Sequence, residues 1–161
     1  MSDQSTVLLI GYGNPGRLDD GLGPALADAI EAMNLSGVTV DSNYQLSVED
    51  ADAISQHDFV LFVDASVSGR EPFWLDRVDP RKEVSFSSHS ISPEALMDMA
   101  NNMLKGNTQG YILGIRGYEF NEFGERLSAK ATDNLSEAVK FVERVLSDKQ
   151  FDRYVSEYKN V

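Results

Sequence analysis

Val7-Leu8-Leu9-Ile10 is an unbroken apolar run closed by Gly11 and Gly13, and no other stretch constrains the fold as much. A strand with one wet face alternates apolar and polar residues, so four apolar residues in a row belong on a strand covered on both faces. After the loop Gly13 to Gly21, Leu22, Leu26, Ala29, Ile30 and Met33 recur at helical spacing. Pro24 falls near the first turn, where its missing N–H costs nothing, so the spacing predicts a helix. Gly37 to Asp41 predicts a second strand, and Phe59 to Val63 a third that stops at Asp64. A helix from roughly Val48 to Ser55 separates them.

Further on, Pro72 to Val78 and Glu83 to Phe86 read as short extended pieces around a turn at Asp79-Pro80, and Pro93 opens a helix to about Leu104. Gly110 to Ile115 predicts another buried strand. Leu135, Ala138, Val139, Val142, Val145 and Leu146 mark the stripe of a closing helix, beyond which a polar tail continues the helix or frays. Alternating strands and helices predict an α/β fold, a three-layer αβα sandwich with a mostly parallel twisted sheet. A length of 161 residues suits a single domain spanning 1–161.

Composition narrows the function. A formal charge of −12 repels phosphate backbones and anionic lipid heads, so nucleic acid and membrane surfaces are not expected partners. The absence of cysteine removes thiolate metal sites and Cys nucleophiles. The N-terminus shows neither a positive n-region nor a long apolar core, so a cytoplasmic location is expected, and a monomer.

In an open parallel sheet, ligands bind beyond the carboxyl ends of the strands. That rule selects the loop Gly11 to Gly23, the segment Asp64-Ala65-Ser66, and Ser87-Ser88-His89-Ser90, which offer Asp19 or Asp20, Asp64, and His89. Two carboxylates and an imidazole suit a borderline divalent cation such as Ni²⁺ or Zn²⁺. Each residue also has a plainer reading. An Asp before a helix is commonly a cap, an Asp at a strand end bonds to nearby amides, and a His in a Ser-rich loop is commonly a surface residue. His57, the other histidine, reads as a surface residue. Convergence on one sheet edge is what favours function.

Gly11-Tyr12-Gly13-Asn14-Pro15-Gly16 also fits a Gly-x-Gly-x-x-Gly phosphate cradle, but Asp19 and Asp20 would place negative charge where a diphosphate must sit. Gly13-Asn14-Pro15-Gly16 after an apolar strand resembles the start of peptidyl-tRNA hydrolases. That family continues with an Arg-His-Asn element, where this chain has Asp19-Asp20-Gly21.

The longer string Gly11-Tyr12-Gly13-Asn14-Pro15-Gly16-Arg17-Leu18-Asp19-Asp20-Gly21-Leu22-Gly23 resembles the N-terminal signature of hydrogenase maturation proteases. Tyr44-Gln45-Leu46 with Glu49, Phe62-Val63-Asp64-Ala65, Ser88-His89, Gly114-Ile115 and Gly124 to Ser128 resemble later segments of that family, in the same order. The resemblance implies an endopeptidase that removes a C-terminal extension from the precursor of a nickel-iron hydrogenase large subunit, after nickel insertion. It further implies that Asp20, Asp64 and His89 are the catalytic, nickel-binding residues, the nickel being the ion already held by the precursor. Relatives often carry Glu at the first position, so Asp20 is shorter by one methylene. With no Cys and no serine in a nucleophile elbow, an activated water is the expected attacking group. Gly117-Tyr118-Glu119-Phe120 is read as a mark of the substrate class. The alternatives are a peptidyl-tRNA hydrolase-like esterase and a non-catalytic protein that delivers or checks nickel.

Overall fold

Among the described residues, five strands form one sheet in the order β2-β1-β3-β5-β4. The computed structural model describes residues 4–79 and 91–160. β1 (Val7–Tyr12) pairs in parallel with β2 (Val38–Asn43) and β3 (Phe59–Ser66), and β3 pairs in parallel with β5 (Gln109–Arg116). Only β4 (Phe73–Arg77), at the edge, runs antiparallel to its neighbour β5. The predicted strand at Glu83 to Phe86 lies outside the described residues.

The apolar runs are buried on both faces because each strand feeds two cores. Val7 and Leu9 of β1, Leu61 and Val63 of β3, and Tyr111, Leu113 and Ile115 of β5 pack into one cluster with α1 (Leu22–Met33) and α4 (Ala129–Asp148). Leu8, Ile10, Val60 and Phe62 point the other way, against α2 (Asp50–Ser55) and α3 (Pro93–Asp98). Helices therefore cover both faces, giving the expected three layers. α3 starts where Pro93 predicts it, with Ser92 as cap accepting from the Ala95 amide at 3.1 Å. It then loosens into a π turn, Met99–Met103, rather than running to Leu104 as regular helix.

The polar tail does not fray. α4 ends on Lys149 in a left-handed conformation, and α5 (Phe151–Tyr158) folds back on the sheet. Phe151 stacks on Phe59 and Tyr111, with ring centroids 4.9 and 4.7 Å apart, and Tyr154 meets Phe141 edge-on.

The chain leaves β1 through α1 to β2, then crosses through α2 to β3 on the opposite side of β1. Connections thus diverge at the carboxyl ends of β1 and β3, and a crevice opens there. The glycine signature serves this crevice by close packing. A Cβ at Gly23, in the first turn of α1, would lie 2.4 Å from the Tyr12 carbonyl oxygen and 2.6 Å from that of Val63, so the helix start rests directly on both strand ends. Gly23→Ala is expected to lower unfolding stability by about 3 kcal/mol, measured by denaturant unfolding. An unchanged midpoint would mean that α1 does not sit this close.

Candidate active site

Asp20 lies in the 3₁₀ turn Leu18–Gly21 that leads into α1, and Asp64 lies on β3 opposite Gly114 of β5. Both line one cleft of about 360 Å³ at the crevice between β1 and β3, together with Tyr12, Gln45, Leu46 and Ser92. The structure therefore joins two of the three residues that the sequence picks out. The third, His89, lies outside the described residues. Among the described residues no group of three or more His, Asp or Glu side chains gathers that could hold a metal ion.

Asp64 does not terminate its strand, as the sequence reading expects. β3 runs on to Ser66, paired with Arg116, because the neighbouring β5 is equally long. The Asp64 carboxylate accepts the Ala65 amide at 2.8 Å, and the Tyr12 hydroxyl lies close enough to act on it. Burial pushes its pKa up to about 7, and the Asp20 charge adds to the rise, while the Ala65 and Tyr12 hydrogen bonds oppose it. Tyr12 is held above the ordinary tyrosine range, first by burial and then by the Asp64 charge. At neutral pH the phenol thus keeps its proton beside Asp64.

Tyr12 is the site residue that sequence reasoning missed. Its signal is the strand alternation: Leu8, Ile10 and Tyr12 share one face of β1, as Val60, Phe62 and Asp64 share the same face of β3.

The raised Asp64 carboxyl makes a testable statement about stability. An unfolded Asp titrates near pH 4, so between about pH 4 and 7 the folded chain holds a proton that the unfolded chain gives up. Stability from this group is complete below pH 4 and is lost as the pH rises through 7. Asp64→Asn removes that loss. Relative to the variant, the native protein is expected to lose on the order of 3 kcal/mol of unfolding free energy between pH 4 and pH 8. Parallel curves for the two proteins would show a solvated, ordinary Asp64.

Neither Asp19 nor Asp20 caps α1, whose N-cap is Gly21 with no side-chain cap bond. Asp20 Oδ2 instead accepts the Asn14 amide at 2.8 Å, closing the loop and leaving Oδ1 for the cleft. Asp19 is fully buried and turned away. It accepts the amides of Tyr118 (2.8 Å), Glu119 (3.0 Å) and Ser128 (2.8 Å) and the Ser128 hydroxyl (2.7 Å). The Gly-Tyr-Glu-Phe segment thus lends its backbone to an internal anchor.

The phosphate-cradle reading fails on the same loop. The N–H groups of Gly13, Asn14, Gly16 and Arg17 already donate to Asn43 O, Asp20 Oδ2, Asn14 Oδ1 and Asn14 O, so none of these is left for a diphosphate. His57 is half-buried rather than free at the surface, its Nδ1 bonded to the Ala53 carbonyl at 2.7 Å, far from the cleft at the opposite end of β3.

No family model and no curated protein sequence matches the chain. Solved structures do. The hydrogenase maturation protease HycI from Thermococcus kodakarensis superposes with a TM-score of 0.71 at 19% identity, over 88% of this chain and 92% of that one. The endopeptidase HycI from Escherichia coli gives 0.67 at 22%, over 91% and 94%. The hydrogenase maturating endopeptidase HybD from E. coli gives 0.66 at 17%, over 90% and 94%. Strand order, layers and the crevice between β1 and β3 therefore stand in an architecture already known, and the chain has the α/β fold of the solved hydrogenase maturation proteases.

Proposed function

We propose that the chain is an endopeptidase that removes the C-terminal extension from a nickel-loaded nickel-iron hydrogenase large-subunit precursor. The observation that carries this reading is the meeting of Asp20 and Asp64 in one cleft at the crevice, in a fold shared with solved maturation proteases. Two carboxylates with separate supports offer hard oxygen donors to a cation, and the family resemblance assigns His89 as the nitrogen donor. The nickel arrives as part of the substrate. Its positive charge favours the ionised form of Asp64, so engagement of the precursor releases a proton from that side chain. Asp20 and Asp64 then fix the nickel-bearing end of the precursor, holding the scissile amide in one orientation toward water. The Ala65 amide holds the Asp64 carboxylate in place, with the Tyr12 phenol lining the same cleft.

The test is co-expression with the large-subunit precursor, followed by intact mass spectrometry of that subunit. The expected result is a subunit shortened at its C-terminus only when nickel is supplied and the protease is present. A precursor that takes up nickel but keeps its full mass would turn the reading toward a protein that binds or checks nickel without cutting. Cleavage of a peptidyl-tRNA ester with the precursor untouched would favour the esterase reading instead.

A further inference from the structure

Trp74 is the sole tryptophan of the chain, and its surroundings assign it a role beside the carboxylate site. In the sheet register Asp64 lies opposite Gly114, and Gly114 opposite Trp74. Strand alternation puts all three on the face that carries Tyr12, because Phe73 and Leu75 point into the other core. Two strand spacings set the backbones of Asp64 and Trp74 about 10 Å apart. The indole closes that gap. A Cβ at Gly114 would lie 2.2 Å from Cε2 and 2.3 Å from Cζ2 of Trp74, so the ring lies across the bare backbone of β5. Its Nε1–H reaches β3 and donates to Ser66 Oγ at 3.1 Å. Ser66 follows Asp64 by two residues on the same face, about 7 Å along the strand. One edge of the indole is thus pinned to β3 two residues beyond Asp64, on the same face, while the side chain stays half-buried.

From Trp74 a cleft of about 920 Å³ runs around the edge strand, lined further by Asp76, Val78, Glu94 and Ile112. Glu94 of this lining follows directly on Ser92 and Pro93, which line the carboxylate cleft.

We propose that Trp74 is a positioning residue: its indole is the platform on which the C-terminal extension of the precursor lies, extended along this cleft with the scissile bond at Asp64. The assignment rests on the function proposed above. The body of a large subunit is folded and too bulky for a cleft of this size, whereas the extension is a short peptide that must lead away from the carboxylates. A ring tethered by its own hydrogen bond offers a large contact area without ordering cost on binding, the property that makes tryptophan a recurrent anchor at interfaces.

Being alone, Trp74 reports on its own cleft. The wild-type protein is titrated with the synthetic extension peptide of the same organism's large-subunit precursor, nickel-free, while tryptophan emission is followed. In parallel, processing of nickel-loaded precursor is measured for wild type, Trp74→Phe and Trp74→Ala. Expected are a saturable change in emission and, for Trp74→Ala, a rise in KM of about ten- to thirty-fold with kcat within about threefold. Trp74→Phe should lie between. A purely structural tryptophan would give no emission change with peptide, and Trp74→Ala would lose kcat and unfolding midpoint together. Either result overturns the assignment, as does a KM for Trp74→Ala within about twofold of wild type. If wild type cuts no precursor, the proposed function itself falls and takes this inference with it. If wild type cuts and only the Trp74 readouts stay flat, the inference alone falls.

Discussion

Asp20→Asn and Asp64→Asn are each expected to slow precursor processing by about 10³-fold or more while leaving the protein folded. The amide in either variant keeps the size of the carboxylate and loses the negative charge that a cation requires. What makes the prediction sharp is the opposite sign of the stability effect at Asp64. Its carboxyl is raised to about 7 chiefly by burial, with the charge of Asp20 adding to the rise, so at pH 8 the ionised side chain strains against its surroundings. Replacing it with a neutral amide relieves that strain. A variant that gains stability and loses activity marks a group retained for chemistry rather than for the fold. At Asp20 the structural cost is one accepted hydrogen bond, from the Asn14 amide, about 1 kcal/mol. The check is intact-mass processing of nickel-loaded precursor alongside circular dichroism and denaturant unfolding at pH 8. Full-rate cleavage by Asp64→Asn would remove Asp64 from the site.

The frame of the molecule is legible in the sequence because burial on both faces leaves a direct trace. Val7 to Ile10 and Phe59 to Val63 are unbroken apolar runs, and each turns out to feed the two cores by alternation. The site's location follows from topology, since the carboxyl ends of a parallel sheet are where loops and side chains converge. Strand ends are less legible. Asp64 looks like a stop because it is charged, but the parallel ladder with β5 continues past it. The tail after Ser147 looks soluble because its polar residues outnumber Phe151, Tyr154 and Tyr158. Those three share one helical face, and that face is what docks. Tyr12 escapes notice inside a glycine motif whose residues draw attention to turns. Its importance comes from a neighbour 52 positions away on the adjacent strand, which no local pattern encodes. The double aspartate could be seen as more than one cap, but not divided into its two tasks, because the partners of Asp19 lie about a hundred residues on.

That division supplies the other large effect. Asp19→Asn is expected to destabilise the protein by about 3–5 kcal/mol at pH 7, whereas the same change at its neighbour Asp20 costs about 1 kcal/mol in unfolding. Oδ1 of Asp19 accepts one amide, and Oδ2 accepts two amides and a hydroxyl. An asparagine has a single acceptor oxygen. Whichever way the amide is turned, its NH₂ faces an N–H donor in a site with no access to water, and at least one backbone amide is left unpaired. The anchor ties the glycine loop to the segment from Gly117 to Ser128, which also holds the loop through the Leu18 amide on Gly124 O at 3.0 Å and the Gly124 amide on Gly16 O at 2.8 Å. The effect should depend on pH in a fixed direction. Burial alone would raise the Asp19 pKa, but the four hydrogen bonds to its ionised form outweigh burial and hold it below the ordinary range. Its stabilisation is therefore present above about pH 4, where an unfolded Asp ionises, and is lost as the pH falls through the lower folded value. Denaturant unfolding of Asp19→Asn and wild type from neutral pH into acid should show a gap that is wide at pH 7 and narrows only in strong acid. A gap below about 1 kcal/mol at pH 7 would mean that these four donors find other partners, and that Asp19 and Asp20 share one task after all.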